Sequence, residues 1–70
     1  MEEILIYPDN GLITSNIFKY DYKVNFCKLV NALIYLIENF KYNGFYDDKF
    51  SFSCSKNKAL KFIEYIKNGT

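Results

Sequence analysis

The segment KFSFSCSKNKALKFIEYIK, residues 49–67, changes its hydrophobic period halfway along. Its first half alternates between polar and apolar side chains, which is the period of a half-buried β-strand. Its second half repeats apolar residues at helical spacing: Ala59, Phe62, Ile63 and Ile66. The segment therefore predicts a strand over 49–54, a helix over 56–67 and a helix N-cap at Ser55, whose hydroxyl can accept a backbone N–H.

The N-terminal segment predicts a β-hairpin. Residues 3–7, Glu-Ile-Leu-Ile-Tyr, are rich in β-formers, and residues 12–14 follow after Pro8-Asp9-Asn10-Gly11. Pro sets the entry to a turn, Asp and Asn bond to nearby backbone, and Gly accepts positive φ. Two strands joined by this turn are the most direct interpretation.

The continuation of the second strand has two interpretations. Residues 18–26 alternate between apolar and polar side chains. This pattern predicts a second strand reaching about Tyr22, with a bulge or bend near Ser15–Asn16. The competing interpretation is a helix that opens at Asn16.

Residues 24–42 predict the longest helix. Its expected core stripe is apolar: Phe26, Leu29, Val30, Leu33, Ile37 and Phe40. The opposite face is expected to hold Lys28, Asn31, Tyr35, Glu38 and Asn39. The run ALIYLI makes the helix apolar around most of its circumference, so it is expected at the centre of the core. Gly44 is positioned for a left-handed C-terminal cap, and residues 45–48 are expected to form a loop.

These elements predict an α+β fold of order ββαβα. Seventy residues are enough for one domain spanning 1–70. A small three-stranded sheet with two helices packed on one face buries both helix stripes. If the strands that flank the long helix are parallel, their crossover should be right-handed.

The composition indicates a low-GC genome more directly than a function. Lys, Asn, Ile, Phe and Tyr, whose codons are AT-rich, make up more than half of the chain. A low-GC bacterium, one of its phages or mobile elements, or a virus or archaeon of similar composition is the expected source. The net charge of +1 gives no general attraction to nucleic acid. Without a long apolar run or a basic leader, the protein is expected in the cytoplasm, that of the host if a phage encodes it.

The sequence argues against catalysis and against a bound cofactor or metal. Histidine, the commonest acid–base group near neutral pH, is absent. Cys27 and Cys54 lack the spacing of a zinc site, and we expect both to be buried free thiols, with a structural disulfide between them as the alternative. Asp47-Asp48, with Asp9, is expected to be turn chemistry, because the spacing of a calcium loop is absent. We therefore expect a protein that is not an enzyme and holds no cofactor.

Three lysines lie where positive charge is least favourable, at the start of the second helix. Lys56, Lys58 and Lys61 face the partial positive charge of a helix N-terminus. One interpretation is functional: with Ser55 and the free N–H groups, they form a site for an anion or for a partner's carboxylates. The other is that AT-rich codons supply Lys wherever a surface residue suffices.

Tyrosines interleaved with lysines form the second candidate site. We expect Tyr20, Tyr22 and Tyr46 to be among the exposed rings. Rings beside Lys can stack on nucleic-acid bases, or form the centre of a protein–protein interface. The absence of Arg, the usual base-reading cation, favours a protein partner.

The sequence resembles no family known to us, so function is inferred from chain class alone. The leading hypothesis is a small protein-binding module, with a protein as partner. Its narrower form is a phage or mobile-element inhibitor of a host nucleic-acid-targeting defence complex. The alternative is a small nucleic-acid-binding protein that uses the lysine cluster and exposed tyrosines. A homo-oligomer that completes its own core through a sheet edge or an open sheet face is the third hypothesis.

Overall fold

A computed structural model of the chain describes residues 1–68 and places five strands in one antiparallel sheet, with two helices. The α+β class is therefore confirmed, but the prediction of a three-stranded sheet in the order ββαβα is wrong. In chain order the elements are β1 (Glu2–Tyr7), β2 (Leu12–Ser15), β3 (Tyr22–Lys23), α1 (Phe26–Asn39), β4 (Lys41–Tyr46), β5 (Lys49–Cys54) and α2 (Lys56–Lys67). Their order across the sheet is β3-β2-β1-β5-β4, so β3 and β4 are its edges. Every pairing is antiparallel, so the expected parallel crossover does not arise.

The N-terminal hairpin is confirmed, and Gly11 is the residue that closes it. The N–H groups of Asn10 and Gly11 donate to the Tyr7 carbonyl at 3.2 and 3.0 Å. Gly11 has a φ of +66°, and the Val24 N–H donates to its carbonyl at 2.8 Å. A Cβ at Gly11 would collide with the Val24 carbonyl oxygen, so the tight contact between this turn and the chain entering α1 requires glycine.

The second strand is shorter than the sequence predicts. It ends at Ser15, and the chain then turns back so that β3 pairs with β2. The Asn16 side chain fixes this reversal on β1: its Oδ1 accepts from the Glu3 N–H at 3.1 Å, and its Nδ2 donates to the Glu2 carboxylate at 3.0 Å. The bend expected near Ser15–Asn16 is therefore present, but residues 16–21 form neither the predicted extended strand nor a helix from Asn16.

The long helix is also shorter than predicted. It begins at Phe26, where the Asn25 side chain accepts the Lys28 N–H at 2.9 Å, and it ends at Asn39. Residues 41–46, predicted as helix end and loop, form β4 because β5 offers them a full set of partners. Gly44 is not a helix cap. It has a φ of +131° beside a bulge in β4 between Tyr42 and Gly44.

The C-terminal half otherwise follows the prediction. Strand β5 and helix α2 have the expected bounds, and the Ser55 hydroxyl accepts the Lys58 N–H at 3.3 Å as an N-cap. Asp47 and Asp48 form the two-residue turn between β4 and β5, with φ values of +50° and +68°. Positive φ at both positions is the geometry that matches the twist of a two-residue hairpin.

One hydrophobic core lies between the sheet and both helices. Its fully buried side chains come from β1, β2, β5, α1 and α2, and include Ile4, Ile13, Leu36, Phe52 and Phe62. Because strand side chains alternate, Glu3, Leu5 and Ser51 point to the helix-free face of the sheet.

Candidate functional site

Helix α1 buries only part of its apolar circumference. The buried residues are Leu29, Ala32 and Leu36, while several others of the predicted core stripe are exposed. Phe26 is 77 % exposed and Ile37 is 59 % exposed, so placing them in the core was wrong. A run such as ALIYLI is apolar on every side, and the sheet covers one flank only.

The exposed residues of α1 form a stripe along one side of the helix. Phe26, Val30, Ile34 and Ile37 follow each other at intervals of four, four and three residues, which are neighbours on a helical surface. Tyr35, predicted on the polar face, is instead half-buried against the core and packs on Tyr65, with 4.5 Å between ring centroids. The observed helix thus turns a second apolar face outward.

This stripe continues onto strand β4. Ile37, Tyr42, Phe50 and Phe52 line a shallow, mostly apolar depression of about 320 Å³. Phe45 extends it, since its ring centroid lies 4.7 Å from that of Phe50. Tyr42 and Phe45 lie on the helix-covered side of the sheet, but the helices cover them only in part, and both are about half exposed.

We call this feature the α1–β4 surface and define it by its exposed residues: Phe26, Val30, Ile34, Ile37, Tyr42 and Phe45. Scattered apolar residues are normal on a protein surface, but contiguous patches of this kind mark interaction sites. The sequence contained a signal for it, because six consecutive apolar helical residues cannot all face one core.

The helix-free face of the sheet has a different character, because its polar groups bond to one another. The Glu3 carboxylate accepts from the Ser51 hydroxyl at 2.7 Å and from the Tyr46 hydroxyl at 3.2 Å. Asn43 Nδ2 donates to Ser51 Oγ and Ser53 Oγ at 3.2 and 2.6 Å. Ser51 is fully buried beneath this network, whereas Asn43 and Tyr46 are exposed.

Lys49 extends this network by packing between two aromatic rings. Its Nζ lies 5.6 Å from the centroid of Tyr7 and 5.0 Å from that of Tyr46. Both distances are within the range of a cation–π contact. The predicted association of exposed tyrosines with lysines is thus present at Tyr46, where it is built into the sheet.

The predicted tyrosine site does not form a single surface. Tyr46 ends β4, whereas Tyr22 lies in β3 at the opposite edge of the sheet. Tyr22 packs edge-on against Phe18, with ring centroids 5.4 Å apart. Tyr20 is exposed beside it, with Lys19 Nζ 5.7 Å from its ring. The structure therefore separates Tyr20 and Tyr22 from Tyr46.

Of the three lysines at the start of α2, Lys58 has a structural reason for its position. Lys58 Nζ donates to the Asn39 carbonyl at 3.1 Å, at the end of α1. A helix C-terminus carries partial negative charge, and α1 has no basic residue in its own last turn. Lys61 lines the same small depression with Asn39, while Lys56 is exposed. The position of Lys58 is thus explained by its hydrogen bond to the C-terminal end of α1.

The two cysteines differ in environment. Cys54 is buried, but Cys27 is exposed at the start of α1, so the prediction of two buried thiols is wrong for Cys27. Burial raises the pKa of the Cys54 thiol and Glu2 adds to the rise, while Lys58 and the N-terminal amine oppose it. Both thiols are free.

Residues 1–68 contain neither a group of potential metal ligands nor a helix able to cross a membrane. In that part of the chain, no three His, Cys, Asp or Glu side chains are grouped so that they could hold a metal ion. Neither of its helices has both the length and the apolar character that a membrane crossing needs.

Comparison of the chain with protein-family models, curated proteins and solved structures finds no match.

Proposed function

We propose that the chain is a small, non-catalytic protein-binding module that docks a protein on the α1–β4 surface. The observation that carries this proposal is the outward apolar stripe of α1, continued by the half-exposed rings of Tyr42 and Phe45. Fully burying such a side chain is worth about 1.5–3 kcal/mol, and because these side chains are 37–77 % exposed, roughly half of that gain remains at each. Aromatic residues in a partly enclosed position are typical anchors of protein interfaces.

Two further observations favour this surface over the sites named from sequence. The polar groups on the helix-free face are already bonded to one another, and Lys58 is bonded to α1. Tyr20 and Tyr22 lie at the far edge from Tyr46, which weakens the nucleic-acid alternative. The narrower hypothesis, an inhibitor of a host defence complex, rests on chain length and codon-biased composition and stays a prediction.

Charge substitutions on α1 test the proposal. Ile34→Lys/Ile37→Lys places two charges in the α1–β4 surface without touching buried residues, and should abolish protein binding. Asn57→Lys/Leu60→Lys adds the same charge to exposed positions of α2 and is the matched control. Binding is measured by cross-linking and mass spectrometry in source-cell lysate that also contains a differently tagged copy of the chain.

The expected result is loss of every specific cross-link in the α1 variant and retention in the control. Circular dichroism of both variants must show the wild-type fold. Equal cross-linking by wild type and the α1 variant would show that the α1–β4 surface is not the docking site.

A further inference from the structure

Strand β4 is an open edge of the sheet, directly beside the apolar stripe. It is six residues long, contains no proline, and pairs with β5 on one side only among residues 1–68. Natural proteins protect such an edge from chance pairing, and the bulge and Lys41 of β4 are devices of that kind. Its free N–H and C=O groups are therefore open only to a strand that matches the bulge, and an occupant of the α1–β4 surface with such a strand would pair with them.

The bulge in β4 makes this edge self-complementary. In a regular strand Tyr42 and Phe45, three residues apart, would point to opposite faces. The bulge adds one residue between Tyr42 and Gly44, so Tyr42 and Phe45 face the same, helix-covered side. Their partners on β5, Phe52 and Phe50, also face that side. Lys41, Gly44 and Tyr46 pair with Ser53, Ser51 and Lys49, and Asn43 bonds to serines on that same helix-free face. From Lys41 to Tyr46, the side chains therefore face the helix-free side, the helix-covered side, twice the helix-free side, the helix-covered side and the helix-free side. This order is the same from either end of β4.

We propose that a second copy of this chain occupies the α1–β4 surface, its β4 pairing antiparallel with β4 about a two-fold axis between Asn43 and Gly44. Tyr42 then lies opposite Phe45 of the second copy, and Lys41 lies opposite Tyr46. Each opposed pair shares a face, and the two bulges oppose each other. This inference rests on the proposed function, because it names the partner of the same surface.

The backbone groups along β4 fit this register. A two-residue turn closes on a hydrogen-bonded pair, here Tyr46 and Lys49. Since bonded and non-bonded pairs alternate in an antiparallel ladder, Phe45 directs its N–H and C=O away from β5. On the other side of the bulge, the N–H and C=O groups of Tyr42 are also expected to point away from β5. The register thus sets the outward groups of Tyr42 against those of Phe45 in the other copy.

A second β4 strand could pair with this edge in a parallel or an antiparallel direction. Only the antiparallel direction brings opposite charges together. Lys41 begins β4, and Asp47-Asp48 follows its last residue. An antiparallel second copy brings Lys41 beside the acidic turn, twice per dimer. A parallel copy would align Lys41 with Lys41 and acid with acid, which is unfavourable.

The available area is of the right order for a dimer. Phe26, Tyr42 and Phe45 together expose about 360 Å², taking about 200 Å² for a whole aromatic side chain. A stable interface buries about 800 Å² per partner. A two-fold axis through the sheet keeps both α1 helices on one side of it, so Val30, Ile34, Ile37 and the strand backbone can supply the remainder.

Sedimentation of the purified chain tests the inference. We expect a dimer whose dissociation constant rises at least about tenfold in Phe45→Lys, which places a charge on the paired edge. Leu60→Lys is the control, since Leu60 is 45 % exposed on α2, close to the 52 % of Phe45, and it should leave the dissociation constant unchanged. A wild type that stays monomeric at millimolar concentration would overturn the inference.

Two more measurements make the result independent of whether Phe45→Lys folds. Isotope-filtered nuclear Overhauser spectra of mixed labelled and unlabelled wild type should show contacts between Tyr42 and Phe45 of different copies. Lys41→Asp should weaken the dimer, whereas Lys23→Asp, the same change on the far edge β3, should not. A dimer with intermolecular contacts only elsewhere would contradict the register. If the chain is monomeric and yet Ile34→Lys/Ile37→Lys loses another protein in lysate, the proposed function stands and the second copy is excluded.

Discussion

Among residues 1–68, four residues have a positive φ, and each lies in a turn or beside a bulge. They are Gly11, Gly44, Asp47 and Asp48. Gly11 is readable from sequence because Pro, Asp and Asn precede it. Asp47-Asp48 is less readable, since two-residue hairpins more often use Asn-Gly or Asp-Gly, and the sequence therefore indicated only a loop there.

The two glycines should respond differently to alanine. Gly11→Ala should lower the free energy of unfolding by about 1–3 kcal/mol through its backbone strain, and further through collision with Val24. Gly44→Ala would hold alanine at a φ of +131°, outside the left-handed helical region, so its loss should come from backbone strain alone, because the new Cβ meets open space. Urea unfolding measures both variants, and a loss at Gly11 no greater than the strain alone, about 1–3 kcal/mol, would contradict the collision with Val24.

Asp48→Gly should stabilise the β4–β5 hairpin. Glycine has no steric penalty at a φ of +68°, and we expect a gain of about 0.5–1 kcal/mol. Asp48→Ala removes the same charge while keeping a Cβ, and it serves as the control. Thermal unfolding should rank the glycine variant above wild type and the alanine variant below it.

The thiols should report their different environments. At pH 8, iodoacetamide should alkylate exposed Cys27 well before buried Cys54. The pKa of Cys54 is raised in the folded state, so folding favours the protonated thiol. The resulting contribution to the unfolding free energy is fully present below the ordinary thiol pKa of about 8.5. It is lost as the pH rises from there through the raised pKa. The unfolding free energy should therefore fall less steeply above pH 8.5 in Cys54→Ala than in wild type.

At the scale of elements, the hydrophobic period of each segment was predicted better than the strands with which it pairs. The hairpin, β5, α2 and the Ser55 cap follow from local chemistry, and all are confirmed. Strand β4 was missed because Gly44 was interpreted as the cap of the long helix and residues 45–48 as a loop, whereas Gly44 lies beside a bulge that interrupts the alternation of the strand. The reversal after Ser15 was missed because it depends on Asn16 bonding to β1, a contact between distant parts of the chain.

The candidate site was predicted in part only. The ALIYLI run indicated a helix that is apolar on most sides, but which flank the sheet would cover depends on the direction in which α1 crosses it. Residues exposed in the structure, such as Phe26 and Ile37, were therefore assigned to the core. Partner recognition by Tyr20, Tyr22, Tyr46 and the lysine cluster stays a prediction.

The contact between the helices can be tested at Lys58. Lys58→Met keeps the aliphatic stem but removes the donor to the Asn39 carbonyl, and should lower the unfolding free energy by about 0.5–1.5 kcal/mol. Lys56→Met is the control, because Lys56 is exposed and has no such bond. Chemical denaturation of both variants decides it: equal stabilities would mean that the Lys58 bond contributes nothing.

At the scale of the whole molecule, the two edges and two faces of the sheet carry different chemistry. The helix-free face is polar and internally bonded, whereas the α1–β4 side is apolar and unfilled. The tyrosine sites are at opposite edges, and the net charge is +1. Among residues 1–68, the contacts between lysines and tyrosine rings lie in separate parts of the molecule, Lys19 beside Tyr20 and Lys49 between Tyr7 and Tyr46, and do not follow one groove.

Nucleic-acid binding should accordingly be weak. At physiological salt we expect no affinity for single-stranded DNA or RNA tighter than the non-specific range of about 10⁻⁴–10⁻⁶ M. Fluorescence anisotropy over a salt series measures it, with Lys56→Glu/Lys58→Glu as the comparison. A tight complex whose affinity falls steeply with salt and disappears in that variant would support the nucleic-acid alternative.

The central position of β1 in the sheet has a consequence for the growing polypeptide. Its two neighbours are β2, which follows immediately, and β5, whose register joins Glu2 to Cys54. During translation β1 has only half of its ladder until residue 54 leaves the ribosome, which takes several seconds at about 5–20 residues per second. The nascent chain therefore waits with an apolar strand that is paired on one side only, and its folding rate should be limited by that late, long-range closure.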